Sequence, residues 1–287
     1  MIKYIKRKDV DVEKYDFCIK NAVNSRVYAY SWYLDIVAEG QWDILIKGDY
    51  EAVMPLPWRR KYGLKYISKP PWTQQLGIFS VNKLSQTVIN TFVKSIPFFF
   101  VKRVIQFNSQ NNLKELPLKD NYILNLRDSY ENLFSNFNNN RKRIVKKLEN
   151  QNVEIIKDVP ARVFFESYKS INDVYDVPEK HESTLKQILL SNKKQINIWV
   201  IKDKDKIICG LIWLKDFYRL TYLLPFANKK AKKDNLPTLL IDTLIRDFQN
   251  SNLVLDFEGS NLDGVARFYR SFGAVLENYP IYNKFFI

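Results

Sequence analysis

The run LVLDFEGSNLDGVARFYRSFGA, residues 253–274, concentrates side chains that can move protons. Strand-forming residues lead to two carboxylates, Asp256 and Glu258, and a Gly-Ser-Asn turn separates them from a short amphipathic stretch that carries Tyr269. On an extended strand residues i and i+2 share a face, so the two carboxylates are expected side by side. An amine must shed a proton when it is acylated, and a carboxylate with a raised pKa can take it. A helix-borne phenol facing that strand end can return a proton to the leaving group. The pair therefore suits N-acyl transfer, with Glu258, nearer the strand end, as the preferred base and Asp256 as the other candidate. Packing offers a competing account, in which Asp256 pairs with a buried arginine or caps the turn. In the same account Tyr269 joins Val265, Phe268 and Phe272 in a core stripe at helical spacing.

Two basic groups could hold an anionic substrate. Apolar residues at helical spacing run from Tyr130 through Leu133, Phe134 and Phe137 to Ile144, Val145 and Leu148, and Arg141 interrupts them. A charge in an apolar stripe is costly, so Arg141 should meet an acidic partner or line a ligand pocket. Lys142, Arg143, Lys146 and Lys147 read either as a solvated face or as an anion-binding one. Farther along, ANKKAKKDNLP places Lys229, Lys230, Lys232 and Lys233 where point charges could meet phosphate. In the first half, Arg59 precedes the stretch PPWTQQ, in which Trp72 could stack on a base or sugar while Gln74 and Gln75 hydrogen-bond it. A rigid turn with Trp72 as a packing plug is the alternative.

Positioning these groups requires alternating helices and strands. Helical spacing covers 12–23 and 30–38, and Gly48-Asp49 punctuates a hairpin of 42–47 and 50–56. Strands follow at 62–68, 76–79 and 98–107, with a helix over 84–95 between the last two. The Asn-rich stretch 108–119 reads as a linker or surface loop, and a domain boundary is expected there, giving domains 1–119 and 120–287. The second half begins with a strand at 122–126. One helix, with Asp128 as its cap and Glu131 three residues on, should run to about Asn150. A strand at 153–156, helices at 161–175 and 182–191, and a meander of 196–202, 207–215 and 219–224 follow. Pro237 sits near the start of a helix reaching Asn250. Strand 253–257, helix 263–272 and strand 281–286 complete the order.

Composition narrows the chemistry. A single histidine, His181, and two distant cysteines, Cys18 and Cys209, leave no basis for a metal site, a disulfide framework or most histidine-based catalysis. No apolar run approaches the roughly 18 residues of a membrane span, and MIKYIKRKDVD lacks the apolar core of a signal peptide. A cytoplasmic protein is the expectation. The 287 residues carry 45 Lys and Arg against 31 Asp and Glu, a net charge of +14. That charge suits a polyanion such as RNA, a nucleotide-linked substrate or an anionic membrane face. It equally suits a Lys-, Asn- and Ile-rich composition bias.

The element order of the second half resembles the GNAT acyltransferase fold, most sharply where Asn261 is followed by Ala266, Phe268-Tyr269 and Phe272-Gly273. RKRIVKKLENQNVEI, residues 141–155, and DFEGS with RFYRSFGA are similar to elements of FemABX-like transferases. The resemblance implies an α/β (α+β) fold of two tandem GNAT-like domains, each a mixed, mostly antiparallel sheet flanked by helices. It implies transfer of an acyl or aminoacyl group to an amine, with acyl-CoA or aminoacyl-tRNA as co-substrate and no tightly bound cofactor or metal. It gives Tyr269 the role of general acid, and Arg141, Asn261 and the 229–233 lysines the donor. Two features depart from the pattern. The stretch matching the GNAT phosphate loop, 227–237, contains no glycine, and no sustained heptads supply the coiled-coil arm of peptidoglycan-building relatives. A non-catalytic nucleic-acid or nucleotide-binding protein on the same scaffold is the alternative, and a scaffold for interactions alone is a third.

Overall fold

The computed structural model of the chain describes residues 1–113, 115–171, 177–259 and 262–286. Contacts divide it into two compact units, Met1–Asp120 with Glu277–Ile287 and Asn121–Leu276.

The first unit opens with a strand that the sequence reading did not anticipate, β1 (Ile2–Lys6). Helices α1 (Val12–Asn21) and α2 (Ser31–Val37) follow, then strands β2 (Trp42–Lys47), β3 (Ala52–Lys61), β4 (Leu64–Ile67) and β5 (Phe79–Ser80), helix α3 (Gln86–Lys94) and strand β6 (Phe100–Gln106). Local chemistry sets several ends. The Asp11 carboxylate accepts from Lys14 N at 3.1 Å to cap α1, and Ser85 Oγ accepts from Val88 N at 3.4 Å to cap α3. Strands β1, β2, β3 and β4 pair antiparallel in that order, β4 pairs parallel with β6, and β5 adds to β3. Tyr15, Trp42, Phe79, Phe92, Phe100 and Phe107 are fully buried.

The stretch expected to be a linker or surface loop is partly core. Asn108 and Asn111 are buried, and their amides hold the loop before β5 by donating to the carbonyls of Leu76 and Ile78 at 2.9–3.2 Å. Asn111 Oδ1 also accepts from Ile78 N at 2.7 Å. Composition suggested a solvated segment because asparagine is usually exposed, but here the amides supply partners to a buried backbone.

The second unit contains β7 (Leu118–Asn125), α4 (Tyr130–Ser135), α5 (Asn139–Glu149), β8 (Ile155–Ile156), α6 (Ala161–Ile171), α7 (Glu179–Leu190), β9 (Ile196–Asp203), β10 (Lys206–Lys215), β11 (Arg219–Ala227), α8 (Lys229–Lys233), α9 (Leu236–Phe248), β12 (Val254–Asp256) and α10 (Asp263–Arg270). Its sheet order is β7-β12-β11-β10-β9-β8. The meander β9-β10-β11 is antiparallel as expected, and among the described residues of this unit the parallel pair is β11–β12. Helix α9 buries Leu240, Ile241, Leu244 and Ile245. The last strand, β13 (Val275–Phe285), lies antiparallel on β6, so its residues from Glu277 group with the first unit.

The single helix expected over 129–150 is two. Asn138 accepts from Arg141 N at 2.8 Å and starts α5 afresh, while the Asn138 N–H donates to the Ser271 carbonyl at 3.0 Å. Gly273 lies against this break with φ +77°, where a Cβ would come within 3.0 Å of Asn136. A tertiary contact thus sets the break, which is why propensity along the run did not show it.

Candidate active site at the splayed strand pair

Strands β11 and β12 pair for only three residues, Arg219 with Val254, Leu220 with Leu255 and Thr221 with Asp256. Strand β11 then continues to Ala227, whereas β12 ends. Beyond those three pairs the two parallel neighbours part. Asp256 and Glu258 stand at the split.

They do not share a face by strand alternation. The strand stops at Asp256, and Glu258 adopts a left-handed conformation, φ +60°, beside Gly259 at φ +62°. A non-glycine residue in that region is uncommon and marks a backbone shaped by its surroundings. Asp256 is buried and fully engaged: its carboxylate receives Arg219 at 2.7 Å, the Asn121 amide at 2.9 Å and the Glu258 N–H at 3.0 Å. Both alternatives open for it, the buried arginine and the turn cap, are realised together. Glu258 is half-buried, and burial lifts the pKa of its carboxyl from 4.5 to about 8. A carboxyl poised in this range suits proton transfer near neutrality.

Tyr269 is buried among rings. It stacks on Phe257 with centroids 4.6 Å apart and meets Tyr222 edge-on at 6.0 Å, with Tyr122 at 6.4 Å. The helical stripe also forms, since Phe272 is fully buried and Phe268 and Val265 pack against the same core. The aromatic group therefore lines the split beside Glu258's neighbour Phe257, and the phenol takes part in packing whatever else it does.

Arg141 is buried, as its place in the apolar stripe required, but its partners are neutral. Nε donates to Ser271 Oγ at 2.9 Å, a terminal nitrogen donates to Thr238 Oγ1, and the guanidinium lies 4.6 Å from the rings of both Phe268 and Phe272. Among the described residues no carboxylate forms an ion pair with it. Burial alone pushes its pKa down to about 10. Cation–π contact on two rings offsets part of the desolvation that a carboxylate would otherwise offset.

The lysine cluster forms α8 and is solvent-exposed. Lys230 pairs with Asp203, which raises its pKa. Lys229, Lys232 and Lys233 stand on the surface. Asn228 caps the helix by accepting from Ala231 N at 2.8 Å, and Pro237, in the first turn of α9, has no N–H. A backbone cradle for pyrophosphate is correspondingly poor here. Asn261 lies outside the described residues.

The first-half candidates belong to the first unit. Arg59 donates to the Ala38 carbonyl at 2.6 Å and pairs with Glu39 at 3.1 Å, which ties it to the end of α2. Gln75 is fully enclosed, donating to Gln74 Oε1 at 2.8 Å and accepting from Ser109 N at 3.1 Å. Gln74 is buried beside it. Trp72 has φ +54°, is half-buried, and its carbonyl accepts from the Tyr33 hydroxyl. These contacts fit the rigid-turn account of the PPW stretch and leave Gln75 no open donor face for a base.

Sequence reasoning missed Arg219, Asn121, Tyr222, Thr238 and Ser271. Asn121 and Arg219 reach Asp256 from 135 and 37 residues away, so no local spacing marks them. Among the described residues no three His, Cys, Asp or Glu side chains gather to hold a metal, and no helix is long and apolar enough to cross a membrane.

No protein-family model matches the sequence, and no curated protein matches it either. Solved structures do. FemX superposes with a TM-score of 0.70 over 96% of this chain and 96% of its own, at 11% identity. The fold is FemABX-like, two GNAT-like units in tandem. This FemABX-like fold is also similar to L-PGS from Bacillus licheniformis, with a TM-score of 0.55 at 12% identity, covering 95% of this chain and 91% of that one. A tandem GNAT protein from the clavulanic acid biosynthesis pathway gives 0.50 at 9% identity, covering 99% and 98%. At such identities the likeness is one of architecture.

Proposed function

We propose that the protein is an N-acyltransferase that moves an acyl or aminoacyl group from an activated donor to an amine, with Glu258 as the proton acceptor. The observation that carries this reading is a half-buried carboxyl held on a left-handed backbone where two parallel strands part, a setting whose burial lifts its pKa to about 8. The amine nitrogen attacks the donor carbonyl, Glu258 takes the proton that nitrogen loses, and the departing oxygen or sulfur needs a proton in return. Tyr269 is the proposed source of that proton, and its stack on Phe257 keeps the ring at the split. Asp256 acts as a positioning residue, fixing the Glu258 N–H and Arg219.

For the donor, the capped start of α8 and the proline in α9 disfavour a pyrophosphate seated on bare N–H groups. Lys229, Lys232 and Lys233 favour a donor gripped through many phosphates, so an aminoacyl ester on RNA fits better than acyl-CoA. Arg141 holds α5 to Ser271 and Thr238 and keeps the basic helix in place.

Melting-temperature shifts with acyl-CoA and with aminoacyl-tRNA, followed by turnover of Glu258→Gln and Tyr269→Phe, test the reading. Stabilisation by a donor and loss of turnover in Glu258→Gln are expected. No shift with either donor would overturn it. The engaged state of Asp256 and the packing of Tyr269 favour a second reading, a binding protein without chemistry, and RNA bound with full retention on wild-type and Glu258→Gln alike, without turnover, would establish that one.

A further inference from the structure

One end of the first unit's sheet carries apolar side chains that nothing in the unit covers. At the β3–β4 turn Tyr62 is 91% exposed and Leu64 is exposed beside it. Strand β4 runs parallel to β6 with Lys65 opposite Phe100, so the turn lies next to the loop entering β6, where Phe98 is 89% exposed and Phe99 is also open. Strand β13 runs antiparallel to β6 with Phe285 opposite Lys102, which brings exposed Phe285 and Phe286 to the same rim.

These rings are presented on a fixed frame. Arg103 is buried and its guanidinium donates to the carbonyls of Pro97 at 3.2 Å and Phe100 at 3.4 Å, holding the loop that projects Phe98. Phe99 packs against Phe100 at 4.8 Å and Tyr4 at 5.7 Å, so only its outer edge is free. Cations are interleaved with the rings: Arg60, Lys61, Lys102 and Lys284 are exposed, and Lys65 lies over Trp58 at 3.8 Å. The segments 60–65, 97–103 and 282–286 contain no acidic residue.

We propose that this rim docks the protein on an anionic lipid bilayer surface, with Tyr62, Leu64, Phe98 and Phe99 entering the headgroup layer and the surrounding lysines and arginines meeting lipid phosphates. Exposed patches of this kind mark interaction sites in soluble folds. Phenyl and leucyl side chains gain by leaving water for the acyl boundary, and each nearby cation adds attraction to an anionic leaflet. Leu64 and the edge-packed Phe99 favour lipid over RNA, because neither offers a face on which a base stacks, and lipid accommodates the open rings of Tyr62 and Phe98 as well. The proposal stands independently of acyl transfer, since it uses no residue of the β11–β12 split.

The full chain, sedimented with phosphatidylcholine vesicles containing phosphatidylglycerol, should bind, and should bind vesicles of phosphatidylcholine alone much more weakly. Phe98→Ser with Tyr62→Ser should lower the partition by about tenfold or more, as should Lys61→Glu with Lys102→Glu. A melting curve confirms that each variant is folded. In a Phe98→Trp variant the added emission should shift to the blue on vesicle binding and stay unshifted with RNA. No binding to anionic vesicles, or equal binding by both double variants, would overturn the proposal. So would a self-association or RNA complex that the Ser variants abolish while vesicle binding persists.

Discussion

Glu258 and its neighbours divide the work at the split by environment. Both carboxylates lie within three residues, yet Asp256 is neutralised by Arg219 while Glu258 is desolvated. A base must be ionised, so kcat/KM should rise with pH and level off above about 8, and Glu258→Gln should abolish that limb with a loss of roughly 10²- to 10⁴-fold in kcat. Stability runs the other way. The folded pKa lies above the unfolded value of about 4.3, so burial of the neutral acid is fully tolerated below that value and becomes a liability as pH rises towards 8. Glu258→Gln should therefore melt a few degrees higher than the parent at pH 8 and no higher at pH 4, as thermal denaturation at the two values will show. Arg219→Ala should cost about 3–5 kcal/mol in urea denaturation, because it leaves Asp256 as a buried, unpaired charge. Glu258 was legible as a strand-end carboxylate, but its left-handed backbone and raised pKa were not, since both arise from what surrounds it.

Among the elements, the break between α4 and α5 shows how neighbours revise a periodic pattern. The apolar spacing across 130–148 reads as one helix, and it located Arg141 correctly inside the packed face. It misjudged the company that Arg141 keeps, because the two phenylalanines and two hydroxyls come from α9, α10 and the two residues after α10. Gly273→Ala should lower stability by more than about 1 kcal/mol in chemical denaturation, since its φ of +77° and the nearby Asn136 leave no room for a Cβ. Asn111→Ala should cost about 1–3 kcal/mol by the same measure, as it removes the acceptor of the buried Ile78 N–H. Strand β1 was overlooked for a similar reason: Lys3 and Lys6 obscure an edge strand whose register on β2 only the sheet supplies.

Across the whole molecule, charge and cysteine chemistry set two expectations. With a net charge of +14, binding of tRNA or another polyanion should weaken steeply as salt is raised, in step with the number of phosphates contacted. Filter binding across a salt series measures it. Cys18 and Cys209 are both buried, and burial pushes each thiol up to about 12. Neither should react with a thiol reagent in the native protein, both should react in denaturant, and a reductant should leave the melting temperature unchanged.

By itself the sequence determined the alternation of helices and strands, the antiparallel meander, the burial of Arg141 and the place of the acidic strand end, because periodicity and turn chemistry act over a few residues. Tertiary structure alone decided that Asp256 is taken by Arg219 and Asn121, that Glu258 is driven towards neutrality, and that Tyr269 is clasped among rings. Those outcomes depend on desolvation and on partners up to 135 residues away, and neither has a signature in local spacing.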